Sequence, residues 1–120
     1  MRTLLAIAAA SATAAVLAVP ALAATKTVKV GDTGSTSFWF ISKAKNHGTV
    51  TAKVGDTVKW TFTGKFPHTV AVKSGPVKFD SGAAKKSGTF SKKITKAGTY
   101  KIYCKIHGAA AQSMTLKVSK

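Results

Sequence analysis

Short segments in which apolar and polar residues alternate constrain the fold of this chain more than any other feature. Apolar residues alternate with lysine and threonine at Val58–Phe62, and the same pattern occurs at Tyr100–Cys104 and Met114–Val118. A period of two places successive side chains on opposite faces of a β-strand, so one face of each strand can pack into a core. The pattern predicts half-buried antiparallel strands. Further candidate strands are Val28–Val30, Phe38–Ile41, Val50–Val54 and His68–Val72, with a short one at Val77–Phe79.

The number and spacing of these segments predict an all-β domain. Glycine-containing turn signals separate several of them, including Gly31-Asp32 and Gly55-Asp56, and no segment after residue 23 has a sustained helical period. The polar stretch Lys73–Lys86 is interpreted as a long connection. About seven to eight strands in a domain of this size are typical of a Greek-key β-sandwich.

The first 23 residues have the organisation of a secretory signal peptide. Arg2 precedes an apolar run at Leu4–Val19, and Ala21–Ala23 supplies the small residues of a cleavage site. We therefore predict a signal peptide at residues 1–23 and one domain at residues 24–120. No later apolar run approaches the length of a membrane span. We expect an exported protein, located in the periplasm, outside the cell or in the cell envelope of a bacterium.

The charge balance is strongly basic. The 120 residues include 19 lysines and arginines against 3 acidic residues, which gives a formal net charge of +16. All three acids are aspartates, so a two-carboxylate glycosidase site or a carboxylate-rich Ca²⁺ site is not expected. Such a surface favours an acidic redox protein or an anionic cell envelope as partner. Because Arg2 is the only arginine and the chain is expected to be exported, we expect no nucleic-acid partner, and we expect a monomer.

The single cysteine needs an explanation in an exported protein. One cysteine excludes a disulfide within the chain, which leaves a buried inert thiol, an intermolecular disulfide or a thiolate bound to a metal. Cys104 shares the inward face of its strand with Tyr100 and Ile102, and His68 shares the inward face of a separate strand. His107 follows Cys104 by three residues, where a loop can turn both side chains toward one point.

One thiolate and two imidazoles are the trigonal ligand set of a blue-copper site, which a weak axial methionine or glutamine completes. A zinc site would use four firm ligands. His47 lies in the turn signal Asn46-His47-Gly48, and we predict that it faces solvent.

Four segments match a known family, namely Val54–Trp60, Phe66–Val70, Phe79–Gly82 and Gly98–His107. With these motifs, the chain resembles the cupredoxin family, in particular its plastocyanin-like and amicyanin-like members. The resemblance extends from about residue 50 to residue 118. It implies an eight-stranded Greek-key sandwich that binds one copper ion, with His68, Cys104 and His107 as equatorial ligands. Lys105-Ile106 departs from the proline or glycine that the family usually has between the cysteine and the second histidine.

The axial ligand has two candidates. Aligning Leu116 and Val118 with the last strand of the family places Gln112 at the axial position, and the four residues between His107 and Gln112 match the plastocyanin-type spacing. Methionine is the more common axial ligand, and Met114 has the same strand parity as Gln112. We favour Gln112 and keep Met114 as the alternative.

Three functions are compatible with this sequence. The leading hypothesis is a type 1 (blue) copper electron carrier that exchanges one electron with redox partners. In the family, the second histidine reaches an apolar surface patch where the electron leaves; here Phe66, Pro67, Ile106 and Ala109–Ala111 would surround His107. The alternatives are an envelope protein that binds or delivers copper through the same site, and an adhesive sandwich with a buried Cys104. No open coordination position or second copper ligand set is evident, so we expect that the chain is not an enzyme by itself.

Overall fold

The computed structural model describes residues 22–120, and that part of the chain consists of strands and loops. Eight strands follow one another along the described residues, and they have five residues or more apart from β2 and β5. Their bounds are β1 Thr25–Asp32, β2 Phe38–Phe40, β3 Thr49–Lys53, β4 Thr57–Phe62, β5 Ala71–Ser74, β6 Thr89–Lys93, β7 Gly98–Tyr103 and β8 Ser113–Ser119.

The strands form two four-stranded sheets. The first has the order β2-β1-β4-β6 and the second has the order β3-β8-β7-β5. Neighbours in a sheet are often distant in sequence, as expected when successive strands cross between the layers of a Greek-key sandwich. The predicted all-β sandwich of about seven to eight strands is confirmed.

Two of the strand pairs are parallel, which the prediction of antiparallel strands did not include. Strand β1 pairs with β4 in parallel, and β3 pairs with β8 in parallel. The pairs β1–β2, β4–β6, β5–β7 and β7–β8 are antiparallel. The parallel partners lie two or more strands apart along the chain, and their pairing depends on the crossovers. Local alternation specifies which face of a strand is buried but carries no information about its partner's direction.

The core lies between the sheets and consists largely of apolar residues that the alternation assigned to inward faces, although Val54 is 42% exposed. Trp60 and Leu116 are fully buried, and Tyr100 and Ile102 are 1% exposed. Burying one large aliphatic or aromatic side chain contributes on the order of 1.5–3 kcal/mol, so this shared core holds the two sheets together. Other buried apolar members are Val28, Val30, Phe40, Val58, Phe62, Val70, Val72 and Val118.

Several strand bounds differ from the prediction. Strand β6 was missed because Thr89–Lys93 has Phe90 as its only apolar residue. The candidate strand Val77–Phe79 is wrong: this segment is irregular, although the carbonyl of Phe79 accepts a hydrogen bond from the Val72 N–H. The strand predicted from His68 begins at Ala71, and His68 instead forms an isolated bridge with Lys85.

The predicted signal peptide, residues 1–23, lies outside the described residues except for its last two positions. Within the described part of the chain, no helix has the length and apolar character needed to cross a membrane.

Candidate metal centre

The connection between β7 and β8 carries three of the predicted site residues. Cys104 directly follows β7, Gln112 directly precedes β8, and His107 lies between them. The Cys104 carbonyl accepts a hydrogen bond from the Gly108 N–H, and the Gly108 carbonyl accepts one from the Gln112 N–H. Gly108 has a φ of +82°, a left-handed conformation that glycine adopts without strain. This tight loop brings the side chains of Cys104, His107 and Gln112 together.

The fourth side chain comes from the segment before β5. His68 is fully buried, and one donor atom each from His68, Cys104 and His107 lie within 4.8 Å of one another. The Cys104 Sγ lies 3.5 Å from the His107 Nδ1. Separations of this size allow a single ion to contact all three residues.

The Gln112 side chain lies across the two imidazoles. Its Oε1 is 3.1 Å from the His68 Nδ1 and 3.0 Å from the His107 Nδ1. Its Nε2 donates hydrogen bonds to the carbonyl oxygens of Gly31, at 3.2 Å, and Trp39, at 3.0 Å. Because carbonyl oxygens only accept hydrogen bonds, the amide nitrogen must face them, and the amide oxygen therefore faces the histidines.

Met114 lies in the core, away from this cluster. Its side chain is buried, and its Sδ accepts a hydrogen bond from the Trp60 Nε1 at 3.4 Å. Met114 belongs to β8, where it pairs with Ile102 of β7. The strand geometry therefore places Gln112 beside the two histidines and the Met114 sulfur against the indole.

The Cys104 thiol is already biased toward the thiolate. Burial raises its pKa, but hydrogen bonding with His68 and with the backbone N–H of Thr69 outweighs burial and lowers the pKa to about 6. The Thr69 N–H lies 3.4 Å from the sulfur. The Thr69 Oγ1 also accepts a hydrogen bond from the Lys105 N–H at 2.9 Å, which ties the two ligand-bearing loops together.

The chemistry of the converging atoms fits a cation. The His68 Nε2 lies 2.9 Å from a carboxylate oxygen of Asp32, an acceptor, so in neutral His68 the proton is on Nε2 and the Nδ1 lone pair faces the cluster. A thiolate sulfur, two imidazole nitrogens and an amide oxygen then meet at one buried point. Lone pairs that face one another repel unless a proton or a metal ion lies among them. Soft sulfur together with imidazole suits copper.

The outer side of the cluster reaches the surface through His107. This imidazole is half-buried and stacks on Phe38, with ring centroids 3.7 Å apart and an interplanar angle of 13°. Phe38 also contacts Phe66 edge to face at 5.8 Å. Ile106, which precedes His107, is 51% exposed. Pro67, which precedes His68, is partly exposed. The rim around His107 therefore contains exposed apolar side chains.

Three supporting residues were not identified from the sequence: Asp32, Thr69 and Asn46. The Asn46 Oδ1 accepts hydrogen bonds from the N–H groups of Phe40 and Ser113, and its Nδ2 donates to the Ala111 carbonyl at 2.8 Å. Asn46 was interpreted only as part of a turn. Its neighbour His47 is exposed, bonds to Ser113 Oγ at 2.6 Å, and lies outside the cluster.

Residues 42–119 match the sequence profile of a family described as copper binding proteins, plastocyanin/azurin family. No curated protein matches the chain at a significant level.

Solved structures with the same fold include three small copper proteins. A mutant plastocyanin of fern has a TM-score of 0.60 at 24% identity, over 78% of this chain and 99% of that chain. A purple cupredoxin from Nitrosopumilus maritimus has a TM-score of 0.59 at 20% identity, with the same two coverages. A methionine-to-glutamine mutant of amicyanin in its Cu(I) form has a TM-score of 0.57 at 28% identity, over 79% of this chain and 82% of that chain.

A larger protein also matches. The Cu-containing nitrite reductase from Thermus scotoductus has a TM-score of 0.56 at 21% identity, over 78% of this chain but 22% of its own. The present chain therefore corresponds to a small part of that enzyme.

Proposed function

Because the chain belongs to the plastocyanin/azurin family of copper-binding proteins, we propose that it is an exported blue copper protein that carries single electrons between redox partners. Copper is its cofactor, and membership of this family supports a small copper electron carrier. The observation that carries the proposal is the buried convergence of the Cys104 sulfur, two imidazole nitrogens and the Gln112 amide oxygen. We assign His68, Cys104 and His107 as equatorial ligands and Gln112 as the axial ligand.

The assignment of Gln112 over Met114 is supported by where each side chain's polar atom lies. The Gln112 Oε1 is within 3.1 Å of both imidazole Nδ1 atoms, and two backbone carbonyls hold its amide in that orientation. The Met114 sulfur is engaged by the Trp60 indole. In the β7–β8 register, Met114 pairs with Ile102, two residues before Cys104.

The chain itself contributes to electron transfer a largely buried site in which the pKa of Cys104 is lowered to about 6. His68, Cys104, His107 and Gln112 would hold the copper ion, which would supply one-electron exchange between Cu(I) and Cu(II). Cys104 and His68 are fully buried, which keeps water from the thiolate. The Thr69–Lys105 hydrogen bond and the fixed Gln112 amide keep the four side chains in place in both states.

His107 supplies the route to the surface. Its ring is half-buried and stacked on Phe38, and the surrounding apolar residues can lie flat against a partner protein. We propose that Phe38 and Phe66, which contact each other next to His107, form a patch with the sequence neighbours Pro67, Ile106 and Ala109–Ala111. We propose that a redox partner docks on this patch and that the chain is not an enzyme by itself.

The net charge of +16 supports an acidic redox partner, or an anionic envelope surface, found by electrostatic steering. Association with an acidic partner should slow steeply as salt rises past physiological strength, where the Debye length is about 8 Å. The signal-peptide pattern of residues 1–23 supports export to the periplasm, the cell envelope or the medium. We propose a monomer.

Adding Cu(II) to the purified, metal-free protein tests this function. We expect an intense blue colour at one copper per chain, followed by fast and reversible electrochemistry. His107→Ala should lose the blue band, whereas the matched control His47→Ala, which removes the histidine outside the cluster, should keep it. A colourless complex would contradict the proposal. A blue protein with slow electron exchange and rapid copper exchange would indicate copper delivery instead.

A further inference from the structure

The buried carboxylate of Asp32 lies against His68, on the ring nitrogen that faces away from the cluster. The distance from the His68 Nε2 to the Asp32 Oδ2 is 2.9 Å, and the two side chains are 0% and 2% exposed. The chain has only three acidic residues, and this one lies directly behind a copper ligand. The carboxylate accepts a hydrogen bond from the Nε2–H of His68, so the Nδ1 lone pair is the one directed at the other ligands.

Neighbouring backbone holds Asp32 in place. The Lys65 N–H donates to its Oδ1 and the Phe66 N–H donates to its Oδ2, each at 3.1 Å. Gly64 makes the room: a Cβ at this position would lie 2.2 Å from the Asp32 Oδ2. Gly64 has a φ of +116°, which other residues rarely adopt. Both the space and the hydrogen bonds are therefore shaped around an ionised carboxylate that meets His68.

We propose that Asp32 is a positioning residue of the copper site, which orients His68 through its Nε2 proton and uses its negative charge to favour Cu(II) over Cu(I). This inference rests on the proposed function above. A carboxylate bonded to a ligating histidine fixes the ring and makes the ligand more basic. A negative charge near the metal stabilises the more positive oxidation state and lowers the reduction potential.

Asp56 shows what a purely structural aspartate looks like in the same molecule. Its carboxylate also accepts two backbone hydrogen bonds, from the N–H groups of Ala24 and Lys53, each at 2.9 Å. No histidine contacts it. Asp56→Asn therefore removes one negative charge and one of the two backbone hydrogen bonds without touching the site, which makes it the matched control for Asp32→Asn.

Cyclic voltammetry of the copper-loaded proteins tests the inference. Asp32→Asn keeps an acceptor for the His68 proton and removes the charge, so it should retain the blue band and raise the reduction potential. Loss of the residue that hydrogen-bonds to a metal-ligating histidine costs about 10–100-fold in metal affinity. A tenfold loss for Cu(II) alone corresponds to about 59 mV for one electron. Asp32→Ala, which also removes the acceptor, should shift the potential further. Asp56→Asn should leave the potential unchanged.

Nitrogen NMR of the Cu(I) form supplies a second measurement, which compares the wild type with Asp32→Ala. We expect a slowly exchanging proton on the His68 Nε2, and rapid exchange there in Asp32→Ala. An Asp32→Asn potential equal to that of Asp56→Asn, or no protected Nε2 proton in the wild type, would overturn the role of Asp32 in a protein that is still blue. A wild type that takes up no copper would overturn the copper site itself.

Discussion

The two ends of strands β1 and β4 each carry a buried aspartate, and comparing them shows what makes one end a metal centre. Asp56 lies where both strands begin and bonds to the Ala24 and Lys53 N–H groups. Asp32 lies where β1 ends and bonds to the Lys65 and Phe66 N–H groups beyond the end of β4. At both ends the carboxylate joins two segments of the chain.

The difference lies in what else reaches the carboxylate. The buried imidazole of His68 donates a further hydrogen bond to the Asp32 Oδ2, whereas Asp56 has no histidine partner. Each aspartate follows a glycine, but Gly55 makes a turn with a φ of +96°, whereas Gly31 is buried within β1. A Cβ on Gly31 would lie 2.7 Å from the Thr63 carbonyl oxygen. Similar local sequences therefore serve different purposes because of the segments packed against them.

The largest expected effect at the site end follows from removing the sulfur. Cys104→Ser should abolish the blue band completely, because no other thiol exists in the chain. The fold should remain, since the core between the sheets does not depend on the metal. Absorption spectra with Cu(II), together with circular dichroism, check both parts. An unchanged blue band would show that Cys104 is not a ligand.

The axial position should give a smaller but measurable effect. Gln112→Met replaces a hard amide oxygen by a softer thioether, which favours Cu(I), so the reduction potential should rise. The blue spectrum should shift with it. Voltammetry and absorption spectra of the copper-loaded variant measure these changes. If Gln112→Met changed neither the reduction potential nor the spectrum, Gln112 would not be the axial ligand.

Met114→Leu is the core counterpart of that substitution. It should leave the potential almost unchanged but leave the buried Trp60 Nε1 without an acceptor, at a cost of about 1–3 kcal/mol in the free energy of unfolding. Chemical denaturation measures the stability and voltammetry the potential. If the potential moved with Met114→Leu while Gln112→Met had no effect, Met114 would be the axial ligand.

At the far end, Asp56→Ala should affect stability and nothing else. It removes the acceptor for the Ala24 and Lys53 N–H groups, so the thermal unfolding midpoint of the metal-free protein should fall. The potential of the copper form should equal that of the wild type. A changed potential would mean that the two ends are coupled through β1 and β4.

The smallest effect is a pH dependence at the far end. Hydrogen bonds from the Ala24 and Lys53 N–H groups lower the pKa of Asp56 below its usual value. The folded state therefore binds fewer protons than the unfolded state, so this stabilisation is complete above the unfolded pKa of about 3.9 and disappears as pH falls through the lower folded value. Denaturation of the metal-free protein from pH 7 to pH 2 measures it. In Asp56→Asn, the free energy of unfolding should fall less steeply at acidic pH than in the wild type. An equally steep fall would show that other groups cause the pH dependence.

The inward faces of most strands could be predicted because burial acts on each residue separately. Trp60, Tyr100 and Leu116 alternate with polar neighbours and are buried as that alternation indicates. Strand β6 was not predicted because a segment with one apolar residue shows no alternation of apolar and polar residues. Parallel pairing of β1 with β4 was also not predicted, because partner direction depends on crossovers far apart in sequence.

The amino-acid sequence by itself determined the all-β class, the inward direction of Cys104 and His68, and the short spacing that joins Cys104, His107 and Gln112. Family resemblance, confirmed by the match over residues 42–119, then indicated copper. Only the tertiary structure decided that Gln112 rather than Met114 lies beside the imidazoles, and that Asp32 lies behind His68. The physical reason is distance along the chain: Asp32 and His68 are 36 residues apart, and hydrogen bonds between such residues form only when packed sheets bring them together.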